Sequence, residues 1–303
     1  MSTPRLLHWL LAIALFLSWA NVSRAAEWKT IRRRGHLIIG VKDNLRPLGF
    51  REMSHVRTTS SQEHGQSTGE LQGLEIDIAH QLAQELLGKA DAVVLKPVAN
   101  RDRLRQILDN EVDLVIAQVT ATPSRARVVA FSVPYYHDGT TLLVRAGTVQ
   151  HPSQLTQGRI AVLNGSSAIA PLQVAFPQAQ LLGVDSYQMA QRRLDRGEVI
   201  AIAADASVLT GWVQQTSDYQ LLPIRLATAP LSVVLPKGSQ YNDLRQLVNG
   251  AIHRWQRNGW LQERIQYWGL SLPDTHTSHL QSLVLCPLSS LLPSGEKISQ
   301  STR

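Results

Sequence analysis

The chain has 303 residues, 44% hydrophobic and 17% charged, a balance that buries a globular core and is long enough for two modest domains. A formal net charge of +7 would suit a polyanion, but the basic residues are dispersed. The one tight run, Arg32-Arg33-Arg34, reads as a solvated surface and not as a nucleic-acid or membrane site. The single cysteine, Cys286, excludes an internal disulfide, so the fold is expected to rest on its cores.

Arg5 precedes an apolar stretch from Trp9 to Ala20, and the small residues of Ser23-Arg24-Ala25 follow. That stretch is short for a membrane span, which needs about 20 apolar residues, and it fits a cleaved export signal over residues 1–26. His36 to Val41 then reads as a buried strand. A polar segment from about Arg51 to Gly69 reads as an exposed loop. Leu74, Ile78, Leu82 and Leu86, spaced four apart, predict an amphipathic helix from Leu74 to Leu87. Ala92 to Val98 predicts a strand, Leu104 to Leu108 a helix, and Asp113 to Val119 a strand. A second block repeats the alternation: strand Arg159–Leu163, helix Ser166–Phe176, strand Gln180–Val184, helix Tyr187–Leu194, strand Ala201–Ala204.

Alternation of this kind predicts crossover units, largely parallel sheets and two α/β lobes. Between the blocks lies an extended run from Phe131 to Val144, and a similar run, Pro230 to Leu235, follows the second block. Two extended segments are expected to carry the chain to one lobe and back as a hinge. Helices from Asn242 to Trp255 and Leu261 to Trp268 would return to the first lobe. The predicted organisation is therefore residues 27–136 with 230–270 as lobe 1, 137–229 as lobe 2, and a disordered tail over 271–303.

The usual signatures of metal, nucleophilic or nucleotide chemistry are missing from the sequence, so no cofactor is implied. Glu75 and Asp77 could be taken for paired catalytic carboxylates. At the start of a helix, however, negative charge is stabilised by the dipole, and a structural role is the simpler reading.

Gly73-Leu74-Glu75-Ile76-Asp77-Ile78, followed by Leu82-Ala83 and Leu86, resembles the bacterial extracellular solute-binding proteins of family 3, the polar amino-acid binding proteins of ABC transporters. The likeness continues through Asp113 to Ala117, Thr120 to Arg125, Phe131-Ser132 and Pro134-Tyr135-Tyr136. It resumes at Ile160-Ala161-Val162, Gly165-Ser166-Ser167, Ala203-Ala204-Asp205, Gly259-Trp260-Leu261 and Tyr267-Trp268-Gly269. It spans roughly residues 27 to 270.

The resemblance implies a type II periplasmic-binding-protein fold with two sheet-and-helix lobes. It also implies a periplasmic monomer that delivers an amino acid to a membrane permease. By the same resemblance Arg125 grips the α-carboxylate, a task suited to two parallel guanidinium donors, and Thr120 assists it. Ser166 and Ser167 meet that carboxylate from the other lobe, or cap their helix. Asp205 pairs with the ammonium and Gln118 helps to hold it. Many relatives have an aromatic residue at Leu45 and an aspartate at Lys42. The cation at Lys42, together with Arg103 or Arg101 if either reaches the pocket, points to a neutral polar or acidic ligand over a basic one.

Two other readings share the scaffold. A cyclohexadienyl dehydratase-like enzyme needs an uncharged carboxylic acid in the pocket, and none is left over once Asp205 holds the ammonium. A sensor domain would need a downstream membrane or signalling segment.

Overall fold

The computed structural model describes residues 27–52, 69–149 and 151–271. The expected export signal, most of the Arg51–Gly69 loop, and the tail with Cys286 lie outside the described residues. Among the described residues no helix is long and apolar enough to cross a membrane.

The chain opens with α1 (Trp28–Arg34), which the sequence reading had taken only as an exposed arginine run. Ile31 of this helix is buried and Arg34 forms an ion pair with the buried Asp113, so the run is in part an anchor. β1 (Leu37–Val41) follows, then three short strands, β2 (Asn44–Leu45), β3 (Gly49–Arg51) and β4 (Leu71–Gln72), which pair into a small separate sheet. α2 (Leu74–Leu87), β5 (Val93–Pro97), α3 (Arg103–Leu108), β6 (Leu114–Ile116) and β7 (Ala130–Asp138) complete the first passage.

In the second lobe come β8 (Thr140–Arg145), β9 (Arg159–Leu163), α4 (Ile169–Ala175), β10 (Gln180–Val184), α5 (Tyr187–Asp195), β11 (Ala201–Asp205), α6 (Ala206–Val213) and β12 (Tyr219–Leu221). β13 (Ala229–Leu235), α7 (Asn242–Asn258) and α8 (Trp260–Tyr267) return to the first.

The two five-stranded sheets share one plan. The first runs β5-β1-β6-β13-β7 and the second β10-β9-β11-β8-β12. In each, two parallel pairings join three strands and two antiparallel pairings add the rest, so one strand, β13 or β8, runs against the other four. The sheets are thus mixed, where alternation alone had suggested largely parallel ones. The opposed strands, β13 and β8, belong to the segments that connect the lobes, and crossover units do not govern those.

Central strands have apolar residues throughout because helices cover both faces. All five residues of β1 are buried. Ile39 pairs with both Leu95 and Leu114, and Ala161 holds the matching central place between Leu182 and Ile202. Leu244, Val248, Ile252 and Trp255 of α7 join the core formed by β1 and α2, which ties the end of the described chain to its beginning.

The lobes are joined where β7 passes into β8 through Gly139 alone. The return segment crosses beside it, and Ala229 at the head of β13 pairs with Asp138 at the end of β7. A Cβ on Gly139 would lie 2.1 Å from the Ala227 carbonyl, so only glycine lets the two crossing segments touch. Hydrogen bonds from Leu226 N to Thr140 O (2.8 Å) and from Ala206 N to Gly139 O (2.7 Å) fix the crossing. Away from it, Gln214 Nε2 donates to Trp268 O at 2.8 Å and links the lobes again at their rim.

Candidate functional site

In open α/β sheets, ligands bind beyond the carboxyl ends of parallel strands, where the backbone turns and side chains are free to point outward. Both sheets direct those ends at one cleft of about 600 Å³. Lys42 follows β1, Asn100 follows β5, and Gln118 follows β6. From the other lobe Asn164 to Ser167 follow β9, Tyr187 follows β10, and Asp205 ends β11. Arg103, Thr120, Arg125 and Leu45 complete the first wall. The cleft therefore brings together Arg125, Thr120, Gln118, Ser166, Ser167, Asp205, Leu45 and Arg103, while Arg101, the alternative to Arg103, has a side chain 89% exposed.

Arg125 begins a short 3₁₀ turn, and its side chain is braced from behind: Nη1 donates to Thr120 O at 2.9 Å. Its backbone N–H donates to Thr122 Oγ1 at 3.3 Å. Arg103 is held by backbone carbonyls. Nη1 donates to Ala117 O (2.8 Å) and Gln118 O (2.6 Å), and Nε donates to Asn100 O (3.0 Å). Both guanidinium groups are thus fixed by neutral acceptors and keep their charge for the cleft.

Gln118 adopts φ +51°, a conformation that L side chains rarely take, so something must hold it. Its backbone N–H donates to Glu75 Oε1 at 2.6 Å, and Tyr135 OH donates to the same oxygen at 2.6 Å. Glu75 is therefore more than a charge at a helix start. It is completely buried and ties α2, β7 and the cleft turn together. Burial pushes its carboxyl above the usual carboxylate range, and the two hydrogen bonds oppose that rise. Asp77, its supposed partner, instead accepts from Trp268 Nε1 at 2.8 Å.

Ser166 and Ser167 lie on the cleft wall, but α4 starts three residues later than the hydroxyl pattern suggested. Ser166 Oγ accepts from Ala168 N at 3.1 Å, so its side chain serves a local turn. Asp205 stands at the N-cap position of α6, yet its side chain makes no cap hydrogen bond. Oδ2 accepts instead from Gln118 Nε2 of the opposite lobe at 3.3 Å. The sequence reading missed Tyr187, Asn164 and Asn100; their position just past parallel strands was the available signal. Tyr187 packs edge-on against Trp212, with ring centroids 5.7 Å apart, and presents an aromatic wall.

Burial and the nearby Asp138 raise the Asp205 carboxyl to about 6, against the pull of Arg103. Asp138 is itself buried and is held by Gly139 N (2.9 Å), Ser207 N (3.1 Å) and Ser207 Oγ. A cation binding at Asp205 favours the ionised form, so its affinity is expected to fall as pH drops below 6, by up to about tenfold per unit. The ligand-free fold responds in the opposite sense. A raised carboxyl contributes stability below its unfolded value that is lost as pH rises through 6. Calorimetric titration between pH 5 and 7.5 on wild type and Asp205→Asn checks this; an equally steep pH slope in the variant would assign the effect elsewhere.

The model of the bacterial extracellular solute-binding proteins, family 3, matches residues 37–271. The chain is 25% identical over 240 residues to the ABC transporter glutamine-binding protein of Bacillus subtilis, covering 78% of this chain and 82% of that one. It is 27% identical over 264 residues to the L-cystine-binding protein of Escherichia coli K12, with 85% and 92% covered. Among solved structures, the solute receptor for L-cysteine of Neisseria gonorrhoeae superposes with a TM-score of 0.59 at 25% identity, covering 80% of this chain and 93% of that one.

Proposed function

Because the chain belongs to the bacterial extracellular solute-binding proteins of family 3, we propose that it captures a free amino acid outside the cytoplasmic membrane and hands it to an ABC permease. The observation that carries this reading is the placement of Arg125 and Asp205 on opposite walls of one cleft. An α-amino acid has a carboxylate and an ammonium on a single carbon, and this pair of opposite charges is its complement. Arg125 with Thr120 receives the carboxylate, Ser166 and Ser167 approach it from the other wall, and Asp205 with Gln118 receives the ammonium.

Binding requires no bond to be made or broken, and no chemistry beyond capture is assigned to the site. The amino acid bridges the lobes and so favours their closed arrangement, which differs from the open one in the contacts the ligand makes. Closure removes water and strengthens each ionic contact. The closed form is the one the permease reads. Lys42 and Arg103 on the wall favour a neutral polar or acidic side chain over a basic one. Export through cleavage after residue 26 places the mature protein, a monomer, in the periplasm.

A thermal-shift screen of the chain without residues 1–26 against the common amino acids tests the reading. One chemical class, at about 100 times its dissociation constant, should stabilise the fold by about 2.7 kcal/mol. If every amino acid leaves the midpoint unchanged, the assignment fails.

A further inference from the structure

We infer that the ligand's side chain ends in a second carboxylate, received by Lys42 together with Arg103. This rests on the amino-acid reading above and names the class of side chain that the same cleft takes.

The first support is the charge on the walls. Among the described residues, Lys42, Arg103 and Arg125 are the cations lining the cleft, and Asp205 is the one carboxylate that lines it. A zwitterionic amino acid brings one charge of each sign and leaves the walls two positive charges in excess. A dicarboxylic amino acid supplies the missing anion.

The second support is the state of Lys42 itself. Its residue is only 5% exposed, and Nζ donates to Val98 O at 3.2 Å, which takes one of the three protons of an ammonium. A buried charge is tolerated when it is paired, and a carbonyl is only a neutral acceptor. Glu75 and Asp43 attract the ammonium, but among the described residues neither stands in ion-pair contact with it. Glu75 Oε1 is committed to Tyr135 and Gln118, and Asp43 lies 3.9 Å from Arg51. Burial, and then Arg103, outweigh both acids and hold the Lys42 amine below its ordinary range. The arrangement is one of two cations braced by neutral carbonyls, with buried Glu75 nearby but, among the described residues, no carboxylate in ion-pair contact with either.

The third support is the surroundings. Asn44 and Asn100 offer amide donors near these cations, and Leu45 offers an aliphatic wall for methylene groups. A carboxylate has two oxygens and can accept from an ammonium and a guanidinium at once. A basic side chain would be repelled here, and a neutral amide would leave the cations unpaired.

Calorimetry on wild type, Lys42→Met and Lys42→Arg with matched pairs tests this: L-aspartate with L-asparagine, L-glutamate with L-glutamine, and L-2-aminoadipate with L-homoglutamine. At least one acid is expected to bind wild type about tenfold or more tightly than its own amide. Lys42→Met should reduce that preference to about threefold or less, and Lys42→Arg should keep most of it. The inference is overturned if an amide binds wild type as tightly as its acid, or if Lys42→Met keeps the full preference. Should Lys42→Met fold poorly, the wild-type comparison of acid with amide still decides. A neutral or basic amino acid binding alone sinks this inference and leaves capture of an amino acid standing; no binding of any amino acid sinks both.

Discussion

Arg125→Ala is expected to reduce amino-acid affinity by about thirtyfold to several thousandfold, corresponding to about 2–5 kcal/mol. The magnitude follows from what is left behind. A carboxylate drawn into the cleft gives up its hydration and regains donors only if the guanidinium is there. Without it, the charge faces the Thr120 carbonyl, to which Arg125 Nη1 now donates at 2.9 Å. That oxygen is another acceptor and worsens the site. Arg125→Lys should recover part of the loss, because a point charge replaces a two-pronged donor. Arg125 is only half-buried, so the ligand-free variant should melt within about 0.5 kcal/mol of wild type. This separates lost binding from lost folding. Calorimetry beside melting curves gives both quantities, and an affinity within about threefold of wild type would remove Arg125 from the carboxylate's place.

Legibility of this molecule in its sequence varied with how each segment is stabilised. α2 was read to the residue, Leu74–Leu87, because one face packs on a core and the other meets solvent. β9 and β10 were also read at their observed bounds, since the buried middle of β9 and the apolar run of the edge strand β10 each stand between polar turns. Periodicity fails where both faces are covered or where an element is very short. α6 is buried over Ala206 to Gly211 and shows no stripe, so it was missed. β2, β3 and β4 have two or three residues each, too few for a pattern.

The cleft was legible for a different reason. Arg125, Thr120, Asp205 and Gln118 stand in motifs whose order resembles a family, and the fold brings them to one cavity. What the motifs could not convey was tertiary. Ser166 turned to its own backbone, and Tyr187 reached the cleft only because β10 lies beside β9. Glu75 was recognised as part of a motif, while its contacts with Tyr135 and Gln118 span 60 and 43 residues of sequence.

Glu75→Ala should be the most damaging single change away from the ligand. Truncation leaves Tyr135 OH and the Gln118 N–H without the oxygen both donate to, at 2.6 Å each. Each buried donor left unmet costs about 1–3 kcal/mol, and the vacated volume adds to it. At about 2–4 °C per kcal/mol for a fold of this size, the melting midpoint should drop by roughly 5–20 °C. Binding should weaken as well, because the Glu75 contact holds Gln118 at φ +51° in the cleft.

Glu75→Gln separates the two contributions that a carboxylate makes. Its amide oxygen can accept both hydrogen bonds, while the charge that burial disfavours is gone. Oε2, which has no hydrogen-bond partner among the described residues, is the atom the amide nitrogen replaces. The N–H donors it brings go unmet there and offset the relief of the buried charge, so stability is expected to fall, but by less than in the alanine variant. If the glutamine variant instead melts as early as the alanine one, the ionised carboxylate is required, and its attraction to Arg103 and Lys42 outweighs its desolvation. That outcome would also weaken the case for Lys42 as a cation awaiting an anion, since Glu75 would already be its partner. The Glu75 pair of variants thus tests from beneath the cleft the same charge balance that the dicarboxylate ligands test from within it.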